Sequence, residues 1–368
     1  MKKTTNPFLL SLLLATLFTC QLTGQDFPPQ RIRLPVDTIG FAQYAWQMDS
    51  LMARIIRLQE ERPEHVSGVL DAVADEPWKA CICPHDDYAY AGHLYPSVLS
   101  GVKAGTLIVF GVAHKARSFG LEDRIIFDSY DGWKAPYGLI RTSPVRQRMI
   151  ELLPPDMLII SDTMQGVEHS VEALLPFLQH YDRNIEIVSI LVPYMSFDRM
   201  QAIAHPLAEA LGSIAAANGW VFGRDYALVI SNDAVHYGDV DWGGSNYAPY
   251  GADSAGYCKA MEHEHEVIAS LSDELNPDKL RQFCGLTVEQ QDYKKYRWTW
   301  CGRYAVPFGL LTAFELNRQA GGRPLKGKLL GYSTSIEHPP IPVSDLGMGT
   351  TAPANIRHWV GYAALGYR

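Results

Sequence analysis

Short apolar runs alternate with helix-periodic segments along the 368 residues, which predicts an α/β fold: one domain, a mixed or mostly parallel sheet flanked by helices. Two further observations agree. Hydrophobic residues make up 47% of the chain and charged residues 20%, a balance suited to a folded soluble protein. Several of the apolar runs are also followed at once by His, Asp or Cys. In open α/β sheets those positions converge on a crevice at the carboxyl ends of the strands, where ligands bind.

Taken in order, Asp37 is placed to cap a helix through Phe41–Ile56, whose apolar residues recur at helical spacing. Glu60–Glu76 is charged, broken by Pro63 and Gly68 and closed by Pro77, so it reads as mostly loop. Strands are expected at Ala80–Cys83, Thr106–Val112, Arg124–Phe127, Met157–Ser161, Ile185–Val192 and Tyr226–Ser231. Helices are expected at Val167–Tyr181 and Arg199–Asn218 between them. Asp239–Asp253, rich in Gly, Tyr, Trp and Asp, reads as a long ordered loop of the kind that walls or covers a site. Ala255–Ser272 looks helical, another helix starts at Asn276–Arg281, and a third covers Ala305–Gln319. Lys326–Ser335 and Trp359–Gly366 read as late strands around the Pro/Gly-rich segment Glu337–Ala354. No internal repeat or interdomain linker stands out, so residues 31–368 read as one domain.

The formal net charge is −8, and without residues 1–25, which hold Lys2 and Lys3 and no acid, it is −10. With no basic run anywhere, this balance argues against a nucleic-acid partner, since phosphate binding relies on clustered Lys and Arg. Lys2 and Lys3 precede the apolar stretch Phe8–Phe18, the layout of a secretory signal peptide over residues 1–25. Leu17-Phe-Thr-Cys20 loosely resembles a lipoprotein cleavage box, although Phe18 and Thr19 fit it poorly. The expectation is an exported protein, periplasmic or lipid-anchored through Cys20, with no transmembrane span.

Cys81, Cys83, Cys258, Cys284 and Cys301 remain after Cys20. An odd count leaves at least one thiol unpaired within the chain, with Cys301 as the candidate and Cys258–Cys284 as a candidate disulfide. Cys81 and Cys83 alternate with His85 along a strand and read as small buried apolar residues.

The chemistry-bearing residues sit at strand ends: His85 after Ala80–Cys83, His114 after Thr106–Val112, and Asp233 and His236 after Tyr226–Ser231. Cys301 comes just before a helix, where backbone N–H groups favour a thiolate. Three imidazoles and a thiol converging at one sheet edge read as a metal site, although a single histidine at a strand end is more often structural. Asp233 either orients His236 or caps the turn after its strand. Glu168, His169 and Glu172 form either a supporting layer for the site or a solvated helix start. Tyr88, Tyr90, Trp242 and Tyr247 line a pocket for a planar ligand or pack in the core. His263 and His265, two apart on a helix, diverge and read as surface. There is no P-loop, dinucleotide-binding glycine fingerprint or nucleophile elbow.

With these residues placed, the chain resembles the MEMO family, whose bacterial members are called the AmmeMemoRadiSam system protein B group. The resemblance rests on Pro84-His85-Asp86-Asp87-Tyr88 with Ala91-Gly92, Gly111-Val-Ala-His114, Glu168-His-Ser-Val-Glu172 with Leu175-Pro-Phe-Leu178, Ser231-Asn-Asp233-Ala-Val-His236, Cys301-Gly302 and Val360-Gly-Tyr-Ala-Ala364. These segments occur in family order and span roughly residues 31 to 368, which makes the combination more specific than any one piece.

The family is similar to class III extradiol ring-cleaving dioxygenases, so the resemblance implies that kind of α/β fold. It implies His85, His114 and Cys301 as ligands of one metal ion, the cysteine standing where the dioxygenases use a glutamate. It also implies His236 as the acid/base. Asp86 and Asp87 depart from the family's small Ala-Gly pair, Lys115 follows the second histidine, and Val167 stands where an acid is usual. Two imidazoles and a thiolate suit copper or zinc as well as iron(II), so the three are not distinguished.

The leading expectation is metal-assisted redox chemistry on a small aromatic or carbonyl-containing molecule. The alternatives are a non-catalytic binding protein that uses the cleft for a peptide, lipid or protein partner, and a metal carrier.

Overall fold

The computed structural model describes residue 1, residues 30–61 and residues 76–368. The expected signal peptide, Cys20 and most of the 60–76 loop lie outside the described residues. The elements run β1 (Ile32–Arg33), α1 (Ala45–Glu61), β2 (Ala80–Cys83), α2 (Tyr88–Ala91), α3 (Tyr95–Leu99), β3 (Thr106–Val112), β4 (Ile125–Phe127), β5 (Gly132–Ala135) and β6 (Gly138–Thr142). Next come α4 (Val145–Leu152), β7 (Leu158–Ile160), α5 (Asp162–Gly166), α6 (Leu175–Tyr181), β8 (Glu186–Val192), α7 (Phe197–Asn218), β9 (Tyr226–Ser231) and β10 (His236–Gly238). The chain closes with α8 (Ser254–Ala269), β11 (Asp273–Glu274), α9 (Pro277–Thr287), α10 (Ala305–Gln319), β12 (Lys326–Thr334) and β13 (His358–Tyr367).

The strands join one mixed sheet in the order β1-β5-β6-β8-β3-β9-β2-β13-β12-β11, with β10 paired to β13 and β4 to β8 and β7. Its centre is parallel: β6, β8, β3, β9 and β2 all run the same way. The carboxy-terminal flank is antiparallel. This is the α/β fold with a mixed, mostly parallel sheet that the sequence predicts, and Arg31–Arg368 forms one compact unit.

Burial explains why the central strands are continuous apolar runs. Every residue of β2, β3 and β9 is buried, because helices cover both faces. Alternate residues feed two cores: Ile82, Phe110, Leu228 and Ile230 pack on one side. Cys81, Cys83, Val109 and Val229 pack on the other. Each large apolar side chain buried here contributes about 1.5–3 kcal/mol. Cys81 and Cys83 are therefore core residues, and burial pushes both thiols well up.

Three expected features differ. The first helix starts at Ala45 rather than Phe41. Asp37 does not cap it; its Oδ1 accepts the N–H groups of Ile39 and Gly40 at 2.7 and 2.8 Å, making a local turn. The expected helix at 167–181 begins only at Leu175, with Pro176 in its first turn. The preceding stretch is held as turns because the Glu168 carboxylate takes the N–H groups of His169 and Ser170, so Glu168 and Glu172 do not share a helical face. Finally, Cys258 is exposed and Cys284 is buried, both are free, and the expected disulfide is absent.

The β5–β6 hairpin was not foreseen; it carries exposed Lys134, Gly138 and Leu139 rather than a buried apolar run. No helix among the described residues is long and apolar enough to cross a membrane.

Candidate metal centre

β3, β9 and β2 are adjacent and parallel, with Phe110 beside Ile230 and Cys83 beside Ser231. Their carboxyl ends therefore open side by side. Each contributes a side chain two residues beyond its last strand position: His85 after β2, His114 after β3 and Asp233 after β9. Close approach of the chain supports the arrangement. A Cβ on Gly111 would lie 2.6 Å from Val171 Cγ2, so glycine lets the 167–174 turns lie against β3.

Cys301 reaches the same edge from before α10. Trp300 bridges to Val235, the Cys301 N–H donates to the Asp233 carbonyl at 3.2 Å, and the Gly302 N–H donates to Asn232 Oδ1 at 2.8 Å. A Cβ on residue 302 would sit 2.4 Å from that oxygen, which is why glycine must follow the cysteine. α10 begins at Ala305, too far along for its first turn to stabilise a thiolate as expected. Burial, reinforced by Asp233, instead holds the Cys301 thiol well above its ordinary value.

The result is a cleft of about 320 Å³ lined by His85, His114, His169, His236, Asp233 and Cys301 together with Asp86 and Asp87. Two donor groups meet in it, each with its atoms within 4.8 Å of one another: His85, His114 and His169, and His85, Asp233 and Cys301. The expected trio of His85, His114 and Cys301 is split between them, with His85 common to both. His169, expected to play a supporting part, belongs to the first group. Its ring stacks on His114 with centroids 4.9 Å apart and planes at 8°.

Hydrogen bonding settles which imidazole nitrogens face the cleft. His85 Nδ1 lies 2.8 Å from Ser231 Oγ, whose hydroxyl donates onward to the Ser170 carbonyl at 2.6 Å. That hydroxyl must accept from His85, so Nδ1 carries the proton and Nε2 keeps its lone pair. His85 Nε2 is buried and makes no hydrogen bond, with Asp233 Oδ2 at 3.4 Å. Such an orphaned buried nitrogen is what a metal ion would satisfy.

His114 is fixed in the same way. Its Nδ1 lies 2.8 Å from Glu168 Oε1, while its backbone N–H donates to Oε2 at 2.9 Å. Burial would raise the Glu168 pKa, but His114 and the surrounding donors outweigh it and pull the carboxyl down to about 2. An ionised Glu168 can only accept, so His114 also carries its proton on Nδ1 and offers Nε2. Burial, then His114 and His169, drives His85 well down, and burial followed by His114 lowers His169 to about 4. These two rings are neutral at physiological pH, as ligands must be.

His236 Nδ1 lies 3.3 Å from both the Ala234 and Thr299 carbonyls, leaving Nε2 as its basic atom, 3.6 Å from Cys301 Sγ. Burial, with His114 adding to it, lowers this ring to about 4. Asp233, expected to orient His236, turns to His85 instead and accepts its backbone N–H at 2.8 Å.

Further carboxyl groups line the floor. Asp86 accepts from Tyr362 at 2.6 Å and Asp87 from the Thr351 backbone at 2.5 Å. Burial and then Asp86 push Asp87 up to about 7, while burial and then Asp86 raise Asp233 well above the usual range.

Trp242 and Tyr247 line the cleft as expected. Tyr88 does not: it is fully buried, its hydroxyl donates to the Ala173 carbonyl at 2.6 Å, and its ring packs on Tyr95 and Phe177. Tyr90 ties to the Ala352 carbonyl and is not among the lining residues. Glu172 acts one layer out, pairing with Arg33 and accepting the N–H groups of Val36 and Asp37.

Sequence reading overlooked Glu264, which lies between the two histidines assigned to the surface. It is fully buried and accepts from Trp298 Nε1 at 2.6 Å, Trp300 Nε1 at 2.9 Å and the Val235 N–H at 3.1 Å. It thereby pins the residues that flank His236 and Cys301. The available signal was its position on the buried stripe Ala260, Glu264, Val267 and Ile268 of α8. Of its neighbours, His265 is exposed, whereas His263 is half-buried with its ring edge-on to Trp298 at 4.6 Å.

Fold and site together define an α/β protein with a histidine-rich, candidate metal-binding cleft at the carboxyl edge of its sheet. The family described as Memo-like protein matches residues 43–350, and the chain belongs to that family. A MEMO1 family protein of Pyrococcus furiosus is 23% identical over 268 residues, covering 70% of this chain and 80% of the relative. Shorter matches link it to MEMO1 family proteins of Methanothermobacter thermautotrophicus, 26% identical over 47% of this chain, and of Aquifex aeolicus, 29% identical over 43%. Those two matches span 60% and 54% of the relatives' own lengths.

Proposed function

We propose that the cleft holds one metal ion, iron, copper or zinc, with His85 as the pivot and His114 and Cys301 as its partners from either side. His169 and Asp233 lie close enough to share in the binding. The observation that carries this reading is the pair of imidazoles held with Nδ1–H toward an acceptor and Nε2 toward the cleft, one of them buried without a hydrogen bond. A bound ion of this kind would supply a Lewis acid for an oxygen donor. The function we infer is metal-assisted redox chemistry on a small aromatic or carbonyl-containing molecule, in an exported protein.

In this reading His236 accepts and returns a proton at Nε2, its only basic ring atom. Asp233 and Ser231 hold His85 from the backbone and the ring side. Trp242, Tyr247 and Tyr296 give a planar ligand flat surfaces to lie on.

Metal analysis of protein purified without added metal tests the binding step. We expect about one equivalent in the native chain and none in His85→Ala. Stoichiometric metal in that variant would sink the assignment. Oxygen uptake over a panel of catechols then separates turnover from recognition alone, since a binding protein consumes none. Amino-terminal sequencing of protein from the periplasmic and membrane fractions tests export.

A further inference from the structure

We infer that the cavity on the other side of His114 and Cys301 is an anion subsite, taking a carboxylate or phosphate carried by the molecule bound in the cleft. This rests on the proposal that the cleft is the ligand site, and it names the class of ligand. The second cavity, about 480 Å³, shares His114, Tyr247, Tyr296 and Cys301 with the cleft, so one molecule can occupy both.

The two chambers differ in charge. The cleft is lined by Asp37, Asp86, Asp87 and Asp233 and by no lysine or arginine. The second cavity is lined by Arg117, Lys294, Lys295 and Arg303 against one acid, the exposed Glu289. Such a division orients a ligand that carries an anionic group, because that group is drawn to the basic side while the cleft floor offers it no cation.

Two of the four cations are already engaged. Lys294 pairs with Glu122, and Lys295 lies 3.7 Å from Asp292. The arginines have no carboxylate partner among the described residues. Arg303 packs on two rings, its guanidinium carbon 3.6 Å from the Tyr296 centroid and 4.5 Å from that of Tyr304. Its Nε is buried and has no hydrogen-bond partner, its Nη1 reaches the Trp300 carbonyl at 3.5 Å, and the rest of the guanidinium engages the Tyr296 and Tyr304 side chains. Arg117 donates to the Lys294 carbonyl at 2.5 Å and sits 5.7 Å from the Tyr194 ring. A guanidinium positioned by two aromatic rings, with a buried N–H left over, suits the planar, two-pronged geometry of an oxyanion.

The test uses metal-free protein, so that it does not depend on the metal. Calorimetric titrations at low ionic strength compare 3,4-dihydroxybenzoate, catechol and inorganic phosphate, while metal content is scored separately. The acid should bind about tenfold or more tightly than catechol, the expected worth of one charged hydrogen bond. That preference should vanish in Arg303→Gln, be reduced but not lost in Arg303→Lys, which keeps the charge without the fork, and be competed away by phosphate. Phosphate binding in place of the benzoate, lost in Arg303→Gln, supports the subsite and assigns it to phosphate. Equal affinities for acid and catechol, an unchanged preference in Arg303→Gln, or no binding of either anion overturns the inference. Should Arg303→Gln fail to fold, exposed Arg117→Gln serves as the second variant, with the same loss of preference expected and an unchanged preference counting against it.

Discussion

Replacing Glu168 by glutamine probes how the cleft keeps His114 ready to donate its Nε2 lone pair. In the native protein Oε1 takes the His114 ring at 2.8 Å and the N–H groups of His169 and Ser170 at 3.0 Å each, while Oε2 takes the His114 N–H at 2.9 Å. A carboxamide oxygen in the Oε1 position keeps the first three, but its NH₂ group then faces the His114 N–H. The native carboxyl lies at about 2 against an ordinary 4.5. That gap corresponds to at most about 3 kcal/mol. His114 and the surrounding N–H donors produce it together, and glutamine keeps part of that hydrogen bonding, so about 2 kcal/mol is expected.

Because the folded pKa is depressed, this contribution is complete above the unfolded value and is lost as pH falls toward about 2. Glu168→Gln has no such group to titrate. Urea unfolding should therefore find the variant less stable by about 2 kcal/mol at pH 7, with the gap narrowing as the pH is lowered through 4. Metal affinity should fall about 10- to 100-fold, as when other partners of metal-bound histidines are removed. A stability gap of the same size at acid and neutral pH would refute the reasoning, since the cost would then come from packing rather than from the charge.

Ser231→Ala removes the acceptor for His85 Nδ1–H and frees the ring to change tautomer, so metal affinity should drop about 10- to 100-fold and stability by about 1–3 kcal/mol; equilibrium dialysis and urea unfolding check it. Metal loading should release a proton from the Cys301 thiol, which burial keeps protonated in the metal-free cleft. Calorimetry in buffers of different ionisation enthalpy should show about one proton fewer released in Cys301→Ser. Glu264→Gln leaves at least one buried N–H facing an NH₂ group, and should cost about 1–3 kcal/mol in urea unfolding. Tryptophan emission from Trp298 and Trp300 should change in the same variant.

Much of the fold was legible because a buried central strand is a local signal. β2, β3 and β9 are unbroken apolar runs with sharp polar ends, and their limits match the expected ones. β5 and β6 were missed because they are short and partly exposed, and they acquire strand geometry only from pairing with each other and with β1 and β8. Candidate donors were legible for a related reason. His85, His114 and Asp233 each follow a strand by two residues, and parallel strands bring their carboxyl ends to one edge.

What the sequence could not express was which partner each polar group would find. Asp233 lies three positions from His236, yet the turn after β9 directs its carboxylate to His85. Glu168 looked like a helix start, yet it gathers donors from His114 on a different strand end. Glu264 was hidden between two histidines because only packing shows that its side of α8 faces two indole N–H groups. The basic chamber is assembled from Arg117, Lys294 and Arg303, which form no run in the sequence. Periodicity and turn chemistry act over a few neighbouring residues, so the amino-acid order determined the buried central strands, most of the helices and the supply of donors. Hydrogen bonds and charge act across space, so register and packing alone decided how those donors are aimed.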